Sequence, residues 1–271
     1  MRLRLFLPVV VGFVCTSLSA QVQHAFVSDL KSTPKDFLNV FTAPIEWDGW
    51  DLAIGSGVLF TSIYLYQNKD QSSDLFYFDR LNSTPTRKPQ PKTYFEKTYF
   101  KAMEIDPKYG MYSLGGAYFL SGLLGQTKIR KTSLACLQSS GVSQLLAVVG
   151  SYILAERRPS YGGEMRYFQD GGRGVSGHAA FYTSFSGPLN KLLTKIEPDD
   201  SLQEKTLKYF GKGFIYGVPL LMSYGRLRNK LTWQQTVDHP VPAHHAWSVF
   251  LGAAIGYSVG EFVAARTDLQ K

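Results

Sequence analysis

The chain has 271 residues, 44% hydrophobic and 18% charged, enough apolar material for one large domain or one domain with a small appendage. Its two cysteines exclude a disulfide framework, because Cys15 falls in an N-terminal leader and Cys136 stands alone in an apolar stretch. A net charge of +8 at pH 7 favours anionic partners such as phosphates and acidic lipid headgroups, and the export read from the leader argues against nucleic acid.

Residues 1–20, MRLRLFLPVVVGFVCTSLSA, place two arginines before an apolar run and then small residues, the layout of a secretory signal peptide. The apolar run is shorter than the ~20 residues a membrane anchor needs. Export to the cell envelope, periplasm or membrane, is the expectation. Gly-Phe-Val ahead of Cys15 does not suit lipid modification, so no lipoprotein is expected. Residues 21–108 read as an N-terminal region holding a first core helix and an amphipathic loop, and residues 109–265 as a helical core.

Low-charge stretches then recur at 52–66, 109–127, 132–155, 174–190, 213–225 and 239–260. Gly, Ser and Ala are scattered through all of them and no period-two alternation persists, which predicts an all-α bundle of six helices. Several stretches fall short of ~20 residues and contain polar positions, so composition alone leaves a soluble and a membrane-spanning bundle both open. Between the first two stretches, a Pro-rich centre at 85–91 predicts a loop. An amphipathic helix follows, whose Tyr94, Phe95, Tyr99 and Phe100, beside Lys97 and Lys101, lie on a membrane surface or pack on the bundle. If each stretch is one traverse, the chain after the third, before the fourth, after the fifth and before the sixth emerges on one face.

Those four places hold the residues suited to chemistry. In LAERRPSYGGEM, Arg157 and Arg158 end an apolar block before Pro159. A guanidinium fork fits two phosphate oxygens, although basic residues also end helices merely to meet the dipole. In GGRGVSGHAAFY, Ser176 is a candidate N-cap of a helix starting near Gly177, whose first amides point outward as anion donors, with Arg173 in the glycine-rich loop. His178 then sits in the first turn, placed either to protonate a leaving oxygen or simply to satisfy a helix end. Arg226 and Arg228 close the fifth stretch, and His244 and His245 precede a Gly/Ala-rich helix. His239, His244 and His245 have only Asp238 nearby and no cysteine, a poor metal set, so no metal and no cofactor is expected.

The ordered set Arg158-Pro159, Ser176-Gly177-His178, Arg226 and His244 resembles the type 2 phosphatidic acid phosphatase superfamily, which includes bacterial acid phosphatases and vanadium haloperoxidases. The resemblance covers roughly residues 133–261 and implies a six-helix bundle of that type and a metal-independent phosphohistidine mechanism. It implies that Arg158, Arg226 and the Ser176 and Gly177 amides hold phosphate, that His178 is general acid and that His244 is nucleophile. Its substrate would be a phosphorylated lipid or a small phosphomonoester, with a membrane surface or bilayer as partner. The chain departs from the family pattern where Ser151 stands in the place of a lysine and Val175 in the place of a proline. The third motif aligns in two ways. Counted from Arg226, Thr232 and Thr236 occupy the places of nucleophile and supporting acid. Counted from the Gly-rich helix, His244 is the nucleophile and Ser248 replaces the acid, with Asp238 as a possible substitute from the same loop. The second alignment is preferred because it puts His244 at the mouth of the last helix. The losses in these motifs favour an alternative, a catalytically degenerate envelope protein of the same fold that binds anionic headgroups or is structural. Vanadate-dependent halide oxidation is a remote third.

Overall fold

A computed structural model describes residues 20–42, 48–68, 106–154, 174–227 and 244–267. Within them every regular element is helical, as the sequence predicts: α1 (Ala20–Thr42), α2 (Gly49–Gln67), α3 (Pro107–Leu123), α4 (Thr127–Ile153), α5 (Gly177–Thr183), α6 (Ser186–Leu193), α7 (Leu202–Tyr224), a 3-10 turn (Gly225–Leu227) and α8 (Ala246–Arg266). Residues 1–19 of the expected signal peptide (1–20) and the segment holding the expected amphipathic helix lie outside the described residues, while Ala20 opens α1.

Local chemistry moves the helix ends away from where charge density alone puts them. α7 starts at Leu202 rather than near residue 213, because Ser201 and Glu204 form a reciprocal capping box at its N-terminus. The second and third stretches are parted by Gly125, the one described glycine with positive φ, +69°. It allows a tight reversal in which the Gln126 amide bonds to the Ser121 carbonyl and the Gly125 amide to that of Gly122. Asp106 caps α3 ahead of Pro107, whose missing N–H costs nothing at the first helical position. α8 begins only at Ala246, after His245 as N-cap. α1 is a separate helix that the charge pattern does not predict.

The interior is unusual in what it buries. The largest fully buried side chains are Val142, Cys136, Thr183 and a series of serines that includes Ser139, Ser140, Ser143, Ser176, Ser184, Ser186 and Ser248. Large apolar side chains face outward instead: Leu59 and Phe60 on α2, Leu120 on α3, Val148 on α4, and Leu207, Phe210 and Phe214 on α7. In water that distribution forfeits most of the hydrophobic driving force, whereas helices in lipid pack through small residues and polar hydrogen bonds. α4 and α8 are each long and apolar enough to cross a membrane.

Serines also answer two of the carbonyls that prolines leave without an amide. Pro188 lies in α6 and has no amide for the Ser184 carbonyl four residues back, and that carbonyl accepts the Ser139 hydroxyl at 3.0 Å instead. Pro219 does the same to the Ile215 carbonyl, which accepts the Ser186 hydroxyl at 2.9 Å. Each repair ties two elements together, α4 to the α5–α6 junction and α6 to α7. The fourth stretch is consequently two short helices with a break at Ser184 and Phe185. Ser139→Ala should cost about 1–3 kcal/mol by leaving the buried Ser184 carbonyl unsatisfied, readable as a lowered thermal midpoint.

α8 forms the axis. Its Gly252, Gly256 and Gly260 recur at one-turn spacing, and a Cβ at each would run into backbone of residues 176, 180 and 184 respectively. α5 and α6 therefore lie against α8 at backbone contact and in the same direction, fixed further by Thr183 Oγ1 donating to the Ala253 carbonyl at 3.0 Å. α4 runs the opposite way, with Ser139 beside Ser184 and Ser151 donating to the Val175 carbonyl at 2.9 Å. α2 packs on α8 through Tyr66 and Trp247, whose rings meet edge to face at 5.7 Å. Val40 of α1 joins Ala135, Val142, Val259 and Val263 in one core cluster, so the N-terminal region packs directly on the helical core.

Candidate active site

The end of α4, the start of α5, the end of α7 and the start of α8 meet at one end of the bundle, the convergence expected from counting traverses. The meeting is made by backbone. The Ser176 amide donates to the Ser248 carbonyl at 3.0 Å, joining the turn before α5 to the first turn of α8. Ser151 holds the Val175 carbonyl, and the Gln144 side-chain amide holds that of Gly177. The Ser-Gly-His turn is thus tied to α4 on one side and to α8 on the other.

Ser176 caps α5, as its position predicts, its side chain accepting from the Ala179 amide. Its own amide is committed to Ser248, so of the two amides expected to meet phosphate only that of Gly177 keeps the assignment. His178 occupies the first turn of α5, its ring 6.2 Å from that of Tyr182 one turn on. His244 is buried just ahead of α8, with Nδ1 3.2 Å from Ser248 Oγ. Ser248 therefore faces the histidine, as their spacing of four residues suggests. In the tautomer protonated at Nδ1, that N–H donates to the Ser248 hydroxyl.

Arg226 lies in the 3-10 turn and is buried, only 6% exposed. Its guanidinium and the Asp106 carboxylate both act electrostatically on the Tyr182 phenol, and Asp106 is also within electrostatic reach of His178. The backbone N–H of Lys108, then its ammonium, hold the Asp106 carboxyl below its ordinary range, so it is an anion near neutral pH. Asp106, Tyr182 and Gln144 are the members of this neighbourhood that sequence reading missed. Asp106-Pro107 carries a helix-start signal, but nothing in the sequence shows that α3 begins beside α5.

Of the other residues named from the sequence, Ser151 supports the turn before α5 by donating to the Val175 carbonyl. Arg158, Arg173, Asp238, His239, Thr232 and Thr236 lie outside the described residues. Among those described, no three His, Cys, Asp or Glu side chains gather as metal ligands. Comparison of the chain with family models, with curated proteins and with solved structures finds no match in any of the three.

Proposed function

We propose that the chain is a metal-independent phosphomonoesterase that acts on a lipid phosphate at a bilayer, through a phosphohistidine intermediate. The observation that carries this reading is the Ser176–Ser248 backbone bond, which sets His178 and His244 each within about one helical turn of a single fixed point, with buried Arg226 at the same end. Arg226, with Arg158, holds phosphate oxygens. His244 Nε2 attacks phosphorus as the bond to the leaving oxygen breaks, and protonated His178 gives that oxygen its proton. Water, deprotonated by the now neutral His178, then attacks the phosphohistidine. Inorganic phosphate leaves, and both imidazoles return to their starting states.

The lipid character of the substrate is supported by the outward-facing apolar side chains and the serine-rich interior. Two helices of sufficient length and apolarity agree with it. The first measurement is phosphate release from lipid monophosphates and from p-nitrophenyl phosphate, with the purified protein in the presence of a chelator. Release from the lipid substrates is expected; no release from any substrate overturns the phosphatase reading. One observation favours a second reading in that case. A hydroxyl at Ser248 orients His244 but supplies no negative charge, which suits a site that binds an anionic headgroup without hydrolysing it.

A further inference from the structure

At the end of the bundle opposite the candidate active site, α1, the first turns of α4 and the last turn of α8 enclose a cavity of about 430 Å³. Its wall includes a buried ion pair. Arg130 and Asp29 are in direct contact, and Tyr118 of α3 donates to Asp29 Oδ2 at 2.9 Å, while Arg130 Nη1 also reaches the Ala25 carbonyl at 3.3 Å. That pair is neutral and fixed from three helices, so it shapes the cavity rather than charging it. Around it stand Lys131 of α4 and Arg266 of α8, with the Asp36 carboxylate on α1 also in the lining. The Arg266 guanidinium lies over the Phe262 ring at 3.9 Å, which orders its planar fork before any ligand arrives.

We infer that this cavity is a second binding site, for the phosphodiester headgroup of an anionic membrane phospholipid. Its volume falls within the range of small-molecule sites. Its two outer cations come from the only two described helices that are long and apolar enough to span a bilayer, each near the helix end where headgroups lie. Leu134 and Phe262 line the cavity deeper along the same two helices, which gives the attached glycerol and chains an apolar path. This assignment rests on the bilayer part of the proposed function and not on hydrolysis: the site is at the far end of α4 and α8 from His178 and His244.

The test is thermal unfolding of the full chain in a mild detergent, titrated with short-chain phosphatidylglycerol, with short-chain phosphatidylcholine and with inorganic phosphate. Phosphatidylglycerol should raise the midpoint and phosphatidylcholine should not. A Lys131→Gln/Arg266→Gln protein should need about tenfold or more lipid for the same shift. Asp36→Asn should need less lipid than the native chain, because it removes a negative charge from the cavity lining, and this gain keeps the test decisive if the double variant folds poorly. Equal protection by phosphatidylcholine or by inorganic phosphate, a shift that both variants leave unchanged, or no shift with phosphatidylglycerol each overturns the assignment. Metal-free phosphate release assayed on the same samples separates the two ideas, since lipid protection in an inactive protein would overturn the phosphatase reading alone.

Discussion

Alanine at His178 or at His244 is expected to lower metal-free phosphate release by at least ~100-fold, with little change in thermal stability. Each role fails in a different way. Without His244 there is no N–P bond, so no acid-labile, base-stable phosphoenzyme can be trapped with a labelled substrate. Without His178 the nucleophile remains, but the leaving alkoxide departs unprotonated; substrates with acidic leaving groups, such as p-nitrophenyl phosphate, should lose less activity than alkyl phosphates. Ser248→Ala should fall between these and the native chain, about tenfold down, because the tautomer of His244 loses its hydrogen bond while the imidazole itself is kept. Retention of full activity in either histidine variant would reassign the roles.

The helical class and the common end at which the candidate residues gather were legible in the sequence because both follow from coarse pattern: recurring low-charge stretches without period-two alternation, and parity. Ser176 was legible as a cap because a serine ahead of a short apolar run has a defined local geometry. The role of Ser248 was only half legible. Its spacing of four residues from His244 suggests that the two side chains are close, but its carbonyl holding the Ser176 amide is a contact between elements 72 residues apart in sequence, and no local pattern encodes it. The broken fourth stretch shows the same limit. Pro188 announces a missing amide, yet the hydroxyl that answers the Ser184 carbonyl comes from Ser139 on another helix. Composition misleads about the interior for a physical reason. Serine scores as polar, although its hydroxyl can be buried cheaply once it donates to a carbonyl of its own or a neighbouring helix, as Ser139, Thr183 and Ser186 do.

Gly256→Ala is expected to be among the most damaging single substitutions in the chain. The added Cβ would meet the Ala180 carbonyl and Thr183 Oγ1, so relief requires α5 as a whole to move away from α8, not one side chain to turn. Overpacking of that kind costs about 3 kcal/mol or more, a large part of the 5–15 kcal/mol that holds a typical domain folded. Catalysis should suffer beyond stability. α5 carries His178, and its N-terminus is joined to α8 through Ser176 and Ser248, so a displacement of about 1 Å that leaves the bundle folded is still enough to cost on the order of 100-fold in rate. Gly116→Ala on α3 is the control: nothing lies within 4 Å of the new Cβ, and alanine gains up to about 1 kcal/mol over glycine within a helix. Thermal unfolding and phosphate release, measured side by side, should show Gly256→Ala losing both and Gly116→Ala losing neither. Native behaviour in the Gly256 variant would mean that α5 and α8 do not approach at backbone contact, and the link that places His178 and His244 together would fall with it.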